Sequence, residues 1–454
     1  MNTKRNLIQI CLLGVVLLQA LNSRAQPVTQ VAAGTFHSLF LKGDGSLWAM
    51  GENNAGQLGD GTFSNTNRPE IIVASNVTAI AAGNDVSLFL KSDGSLWTMG
   101  GATNIPEQIV ASNVTAIATG GFHSLFLKSD ASLWAMGNNQ FGQLGDGTFN
   151  NTNQPEMIVA SNVTAVAAGG NHSLFLKSDG SLWAMGYNYN GQLGDGTFGR
   201  TAPFGTNLPE QIVSNNVMAI AAGGYHSLFL KSDGSLWAMG GDVTGQLGDG
   251  AFNDTNLPEM IVASNVTTIA AGGYYSLFLK QDDSLWAMGA DGSGELGDGT
   301  YNVNNVNRPE QIEGSSVTAI AASSHVIYYV GGPVYDEHSL FVRNDGSLWG
   351  MGYNRYGELG DGTYSDQGTN LPEQIVAGPP GYNQISALLL SGGNVSLSYM
   401  GIAGTNYELD QSFSLSPVNW IPQVTNSAGA GGVLVFTNRP DPTTNNFWRI
   451  RYVP

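Results

Sequence analysis

Residues 117–134, IATGGFHSLFLKSDASLW, decide how the chain is read. The stretch returns as VAAGTFHSLFLKGDGSLW ending at Trp48, VAAGGNHSLFLKSDGSLW ending at Trp183 and IAAGGYHSLFLKSDGSLW ending at Trp237. Looser copies end at Trp97, Trp286 and Trp349, which makes seven, with tryptophan spacings of 49, 37, 49, 54, 49 and 63 residues. A unit of this length cannot bury its apolar face alone and must stack on its neighbours.

Each copy divides into four short apolar runs. In copy three they are VTAIA (114–118), SLFLK (124–128), SLWAMG (132–137) and PEMIV (155–159). Their length and their Val, Ile, Leu, Phe and Trp content suit strands. The second and third runs are separated by Asp-Gly at Asp44-Gly45, Asp93-Gly94, Asp179-Gly180, Asp233-Gly234 and Asp345-Gly346. This is a hairpin signal, because glycine accepts a positive φ without a Cβ clash. Ala131 and Asp283 replace that glycine in two copies and are expected to strain their turns slightly. Proline opens the fourth run in every copy, from Pro69 to Pro372. It lacks an N–H and so marks this run as the outer edge. Seven four-stranded antiparallel units predict an all-β, seven-bladed β-propeller, with a linear solenoid as the alternative.

The pattern [IV]-A-[AT]-G-x-x-H-S-L-F-L recurs at 31–41, 117–127, 166–176 and 220–230, and G-x-N-x-x-G-Q-L-G-D-G-T at 51–62 and 137–148. These two motifs in fixed order resemble the regulator of chromosome condensation repeat family over roughly residues 28–377. The resemblance implies a seven-bladed propeller. Its members include a nuclear guanine-nucleotide exchange factor and a secreted bacterial β-lactamase inhibitor that works through one propeller face.

The ends of the chain have another texture. Lys4 and Arg5, an apolar run over 7–21 and Ser23-Arg24-Ala25 read as a secretory signal peptide, 1–25. The run is short for a membrane span, which needs roughly 20 residues. The only cysteine, Cys11, lies inside it, so an exported chain without disulfides is expected to depend on its core. The propeller is assigned to 26–377. Gly378-Pro379-Pro380-Gly381 opens a linker, 378–384. A small β-sandwich-like module follows over 385–454. Its first part, ISALLLSGGNVSLSY (385–399), echoes the repeat and offers a closing strand for the ring as an alternative.

The whole chain has a formal charge of −18. Cleavage after Ala25 removes three basic residues and no acid, leaving 14 basic against 35 acidic residues, a balance of −21. Such a surface repels phosphate backbones and anionic membranes. Neither nucleic acid nor insertion into a membrane is expected.

Strand alternation sends the turn after the first strand and the connection after the third to one end, and the Asp-Gly turns to the other. The Asp-Gly end is monotonous. The opposite end varies in sequence and in length. Its variable slots carry Phe141 in copy three, Tyr187 and Tyr189 in copy four, and Tyr353, Arg355 and Tyr356 in copy seven. The slots before the repeated histidine carry Phe36, Phe122, Tyr225 and Tyr274. An insertion over 323–337 adds Tyr328 and Tyr329. Aromatics on loops held by a rigid scaffold are the usual interface anchors. These twelve residues are the candidate partner-binding set.

Chemistry finds less support. His37, His123, His172, His226 and His338 recur one per copy, which spreads them round a ring, whereas a metal needs ligands about 2 Å from one ion. Burial with a hydrogen bond to neighbouring backbone is favoured for them. The aspartate of each L-G-D-G fits turn stabilisation better than calcium binding. No phosphate loop, nucleophile elbow or zinc motif occurs. The expectation is a secreted, periplasmic or cell-surface monomer without metal or cofactor. It is a non-enzymatic scaffold binding a protein or glycan, as an inhibitor or an adhesion module. Nucleotide exchange, or a hydrolase or lyase built on paired carboxylates, stands as the alternative.

Overall fold

Each copy folds into one antiparallel sheet whose strands follow in chain order. In the first, Val28–Ala33, His37–Lys42, Leu47–Gly51 and Thr66–Val73 lie side by side. This computed structural model describes residues 26–324, 336–379, 385–389, 395–402, 405–412, 421–428, 433–438 and 447–453. The signal segment 1–25 and the tyrosines at 328 and 329 therefore lie outside the described residues.

The hairpin turn forms as its residues require. Gly45 takes φ +75°, its N–H donates to Lys42 O at 2.9 Å, and Ser46 N donates to Asp44 Oδ1 at 3.0 Å. Ala131 and Asp283 adopt the same left-handed conformation, at φ +62° and +60°. Behind the turn, Trp48 stacks on Phe40 at 5.9 Å and carries Lys42 Nζ 4.0 Å above its ring. The fourth strand is the outer edge, as expected, but the proline does not open it. Thr66–Val73 begins three residues before Pro69. On an edge the missing N–H leaves no ladder bond unmade, so the strand runs through it.

Seven such sheets, over residues 28–73, 77–110, 114–159, 163–213, 217–262, 266–313 and 317–376, form the blades of a propeller. Their first strands neighbour one another round the axis. The core lies between blades. Leu39, Leu41, Leu47 and Leu58 of blade one pack on Phe89 and Met99 of blade two. The ring closes in the same way, with Phe40 and Met50 against Leu340 and Leu348 of blade seven. Every blade uses four consecutive strands, and among the described residues no strand crosses to seal the ring.

The repeat-like segment is not a closing strand. Ile385–Leu389 pairs with Val395–Met400, which pairs with Val433–Asn438. A second three-stranded sheet joins Ile421–Ser427, Asn406–Ser412 and Phe447–Val453. The two form a small C-terminal β module. It meets the propeller at the Asp-Gly end, where Val28, Arg343, Tyr399, Ile402, Tyr407 and Ile450 line one crevice.

The two ends of the ring are chemically distinct. At one, Val77 N donates to Gly45 O at 3.0 Å, so the Asp-Gly turns meet the interblade links. At the other, Glu52 N donates to Phe36 O at 2.7 Å and Tyr353 N to Glu337 O at 2.8 Å. These bonds fix the variable connections beside the residues that precede the histidine slot.

Candidate functional site

The repeated histidines tie the blades together. His37, His123, His172 and His226 each place Nε2 2.8–2.9 Å from the serine Oγ of the next blade: Ser87, Ser173, Ser227 and Ser276. His338 reaches Ser38 at 2.8 Å and so spans the closing junction. Each serine donates its own proton to a carbonyl in the preceding blade's connection, as Ser87 does to Gln57 O at 2.8 Å. The bond from the imidazole must then be Nε2–H donating to Oγ, which leaves Nδ1 unprotonated. Burial holds these rings neutral, with pKa values pushed down to about 3, or about 4 for His123. The expected backbone partner is therefore corrected to a serine side chain of the adjacent blade. In blade six, Tyr275 stands in the slot and its hydroxyl comes 2.9 Å from Ser339 Oγ. Val86 in blade two has no polar atom to offer.

The connection after the third strand is built on one asparagine. Asn53 Oδ1 accepts from Leu58 N at 3.0 Å while its Nδ2 donates to Asp60 Oδ1 at 3.0 Å, and Asp60 also accepts from Thr62 N at 2.7 Å. The L-G-D-G aspartate thus braces a turn. Gln57 braces the next bend by accepting from Ala55 N at 2.9 Å. In blades six and seven Glu295 and Glu358 replace this glutamine and accept from Ser293 N at 2.8 Å and Tyr356 N at 2.9 Å. Both are fully buried, and burial pushes each carboxyl up to about 8. That shift favours the protonated carboxyl at neutral pH, which keeps the oxygen that accepts the N–H where the glutamine amide oxygen stands in other blades. Asp242 replaces the asparagine in blade five, and burial, with the charges of Asp249 and Asp254, pushes it up to about 7.

Most of the candidate aromatics join across blades. Phe36 of blade one meets Tyr356 of blade seven at 5.2 Å and Tyr353 at 6.1 Å. Phe141 of blade three meets Tyr187 of blade four at 4.8 Å, and Tyr187 stacks on Tyr189 at 6.2 Å. Tyr225 and Tyr274 of blades five and six lie 5.1 Å apart, with Tyr187 packed against them. Arg355 pairs with Asp366 at 3.4 Å and stays largely exposed. Exposure separates the set. Tyr225, Tyr274 and Tyr353 are buried, Phe36, Phe141, Tyr187 and Tyr356 are half-buried, and Phe122 and Tyr189 are open. The buried three hold connections in place. The other described members keep part of their surface exposed.

Carboxylates border the aromatic cluster of blades seven and one. Burial raises Glu52, Asp85 and Asp336 above the usual carboxylate range, and Glu52 is raised further by the charge of Asp85. Among the described residues no group of three or more His, Cys, Asp or Glu side chains is disposed to hold a metal ion. Sequence reasoning missed the serine after each histidine slot and the glutamine or glutamate before each L-G-D-G. Both recur visibly, yet the serine's partners lie in the preceding copy and the glutamine's in the backbone of its own bend.

Residues 101–398 match the RCC1-like domain, and residues 28–57 and 44–90 match the regulator of chromosome condensation (RCC1) repeat. Among solved structures the chain is similar to Prp20p from Saccharomyces cerevisiae, at 22% identity and a TM-score of 0.59, covering 65% of this chain and 80% of that one. It is also similar to human WBSCR16, at 22% identity and a TM-score of 0.58, covering 66% and 85%. The Prp20p structure is described with its binding to Gsp1p and histones. At this identity the likenesses speak for the fold.

Proposed function

Because the chain belongs to the regulator of chromosome condensation repeat family and carries its RCC1-like propeller, we propose that it is an exported, non-enzymatic scaffold. In this reading the connection end binds an extracellular or periplasmic protein or glycan, as an inhibitor or an adhesion module. One observation carries the reading: aromatic side chains from different blades gather at one end of a ring whose other end varies little from copy to copy. Export rests on the basic, apolar and small-residue pattern of residues 1–25.

The alternatives have weaker support. The paired-carboxylate reading cannot use Glu295 and Glu358, which are sealed from substrate, and would rest on half-exposed acids such as Glu52 and Asp85. Nucleotide exchange would have to come from analogy with a fold shared at 22% identity. Capture from the secreted or periplasmic fraction tests the proposal. Wild-type protein is expected to retain a partner that Tyr189→Ala, Tyr356→Ala and Phe122→Ala together release. Undiminished capture by the triple variant would contradict it.

A further inference from the structure

Six of the seven blade junctions are sealed at the connection end by one device. The connection of the leading blade inserts a leucine, and Leu58, Leu144, Leu193, Leu247, Leu296 and Leu359 are all buried. The glycine after it abuts a methionine of the next blade, as Gly59 does Met99 and Gly145 does Met185, so closely that an added Cβ would strike the sulfur. Two residues on, a glycine N–H donates to the outer strand of that blade, as Gly61 does to Asn104 O at 2.8 Å, and Gly362 does to Asn67 O at 2.8 Å across the closing junction.

Blade two has no such connection. Its third and fourth strands, Leu96–Gly100 and Thr103–Val110, are joined by Gly101 and Ala102 alone. The receiving surface on blade three is nevertheless complete. Met136 is partly exposed, whereas Met50, Met99, Met185, Met239, Met288 and Met351 are fully buried. Ser124 reaches only Thr119 Oγ1, at 3.3 Å, where its counterparts bond a connection carbonyl. Phe122 is 48% exposed, while Phe36 in the same slot is covered by the tyrosines of blade seven. The core cluster at this junction, Leu88, Leu90, Leu96, Val114 and Phe126, contains neither a plugging leucine nor a methionine.

Charge borders the gap on one side. Asp85 occupies the slot before Val86, and its carbonyl accepts from Gly101 N at 3.0 Å. It is therefore the ring neighbour of Phe122, as Tyr225 is of Tyr274. Glu52 adds a second carboxylate. Their side chains accept only from Asn54, Gln57 and Asn84, and no Lys or Arg among the described residues pairs with either.

We propose that the junction of blades two and three is a docking notch for a loop of a partner protein that carries a leucine-sized apolar side chain beside an arginine or lysine. The leucine fills the space over Met136 and Phe122 that a connection fills elsewhere. The cation meets Glu52 and Asp85, whose partial burial makes such a charge pair stronger than a fully solvated one. The inference deepens the reading that this end of the ring binds a partner, and rests on it.

The test uses full-length protein labelled with 13C at the methionine methyls, titrated with a cyclic peptide containing Arg-Gly-Gln-Leu-Gly-Asp-Gly-Thr. A saturable shift at Met136 is expected, weakened about tenfold or more by Phe122→Ala. Leucine-to-aspartate replacement in the peptide is expected to abolish it. Glu52→Gln with Asp85→Asn should weaken the peptide several-fold, but not a version with glutamine for arginine. Replacing Gly101-Ala102 with residues 52–65 of copy one should bury Met136 and remove binding. No saturable shift at Met136, or equal affinity in the grafted chain, would overturn the proposal. So would concentration-dependent dimerisation that the graft abolishes, which would assign the notch to a second copy. If photo-crosslinkers at Tyr189 and Tyr356 capture a partner while the notch binds nothing, this proposal fails and the binding-end reading stands. Capture at neither position fails the broader reading.

Discussion

Single residues set the pH range of the fold. The five ladder histidines have folded pKa values below the ordinary 6.5. The unfolded chain binds their protons more readily, so stability is lost as pH falls below 6.5. Glu295, Glu358 and Asp242 behave oppositely, raised to about 8, 8 and 7. The folded chain holds these protons longer, so stability is lost as pH rises from about 4.5 towards 8, at up to about 1.4 kcal/mol per pH unit for each group. Thermal melts across pH should peak between about 6 and 7. Glu295→Gln with Glu358→Gln should flatten the alkaline side and steepen the fall below pH 6.5, where the two carboxyls otherwise oppose the histidines. A second effect belongs to the turns. Ala131 and Asp283 sit at positive φ, which costs a residue with a Cβ about 1–2 kcal/mol. Ala131→Gly and Asp283→Gly should each raise the denaturation midpoint, and a fall would show that the strain is absent.

At the scale of the element, the blade is stable through what its neighbours insert. Leu247 is fully buried between blades, so Leu247→Ala should cost about 2–5 kcal/mol in chemical denaturation. Ser276→Ala removes the acceptor of His226 and strands a buried N–H, at about 1–3 kcal/mol. The same effect from Ser124→Ala would contradict the account, because no histidine reaches that serine. Strands, hairpin turns and the gathering of the variable connections at one end were legible in the sequence because alternation, Asp-Gly and copy-to-copy variation are local signals. The histidine ladder was not, since each ring bonds a serine about one repeat away that looks the same in every copy. Nor was the burial of Tyr225, Tyr274 and Tyr353. Each slot lies on the variable end, but cover comes from neighbouring blades: Tyr225 and Tyr274 pack on each other with Tyr187 and Ala290, and Tyr353 meets Phe36 of blade one. Pro69 is ambiguous in the sequence, because an edge position permits proline inside a strand as well as at its start.

For the whole molecule, uniform repetition has one exception. The junction of blades two and three lacks the leucine plug and the glycine tie that hold the other six, and also the histidine that five of them use and Tyr275 replaces in the sixth. It should be where the ring opens most readily, and hydrogen exchange should be faster at 119–124 and 136–138 than at 168–173 and 185–187, the equivalent positions of blade four. Uniform protection round the ring would contradict this. On the function proposed above, the ring recognises its partner at the variable end. Site-specific photo-crosslinking in the exported fraction tests this most directly, with the reactive group placed at Tyr189 or Tyr356 in one pair of proteins and at Asp93 or Asp233 in the other. The account predicts a discrete crosslinked partner from the tyrosine positions and none from the Asp-Gly turns. A partner captured only from the turns would contradict it.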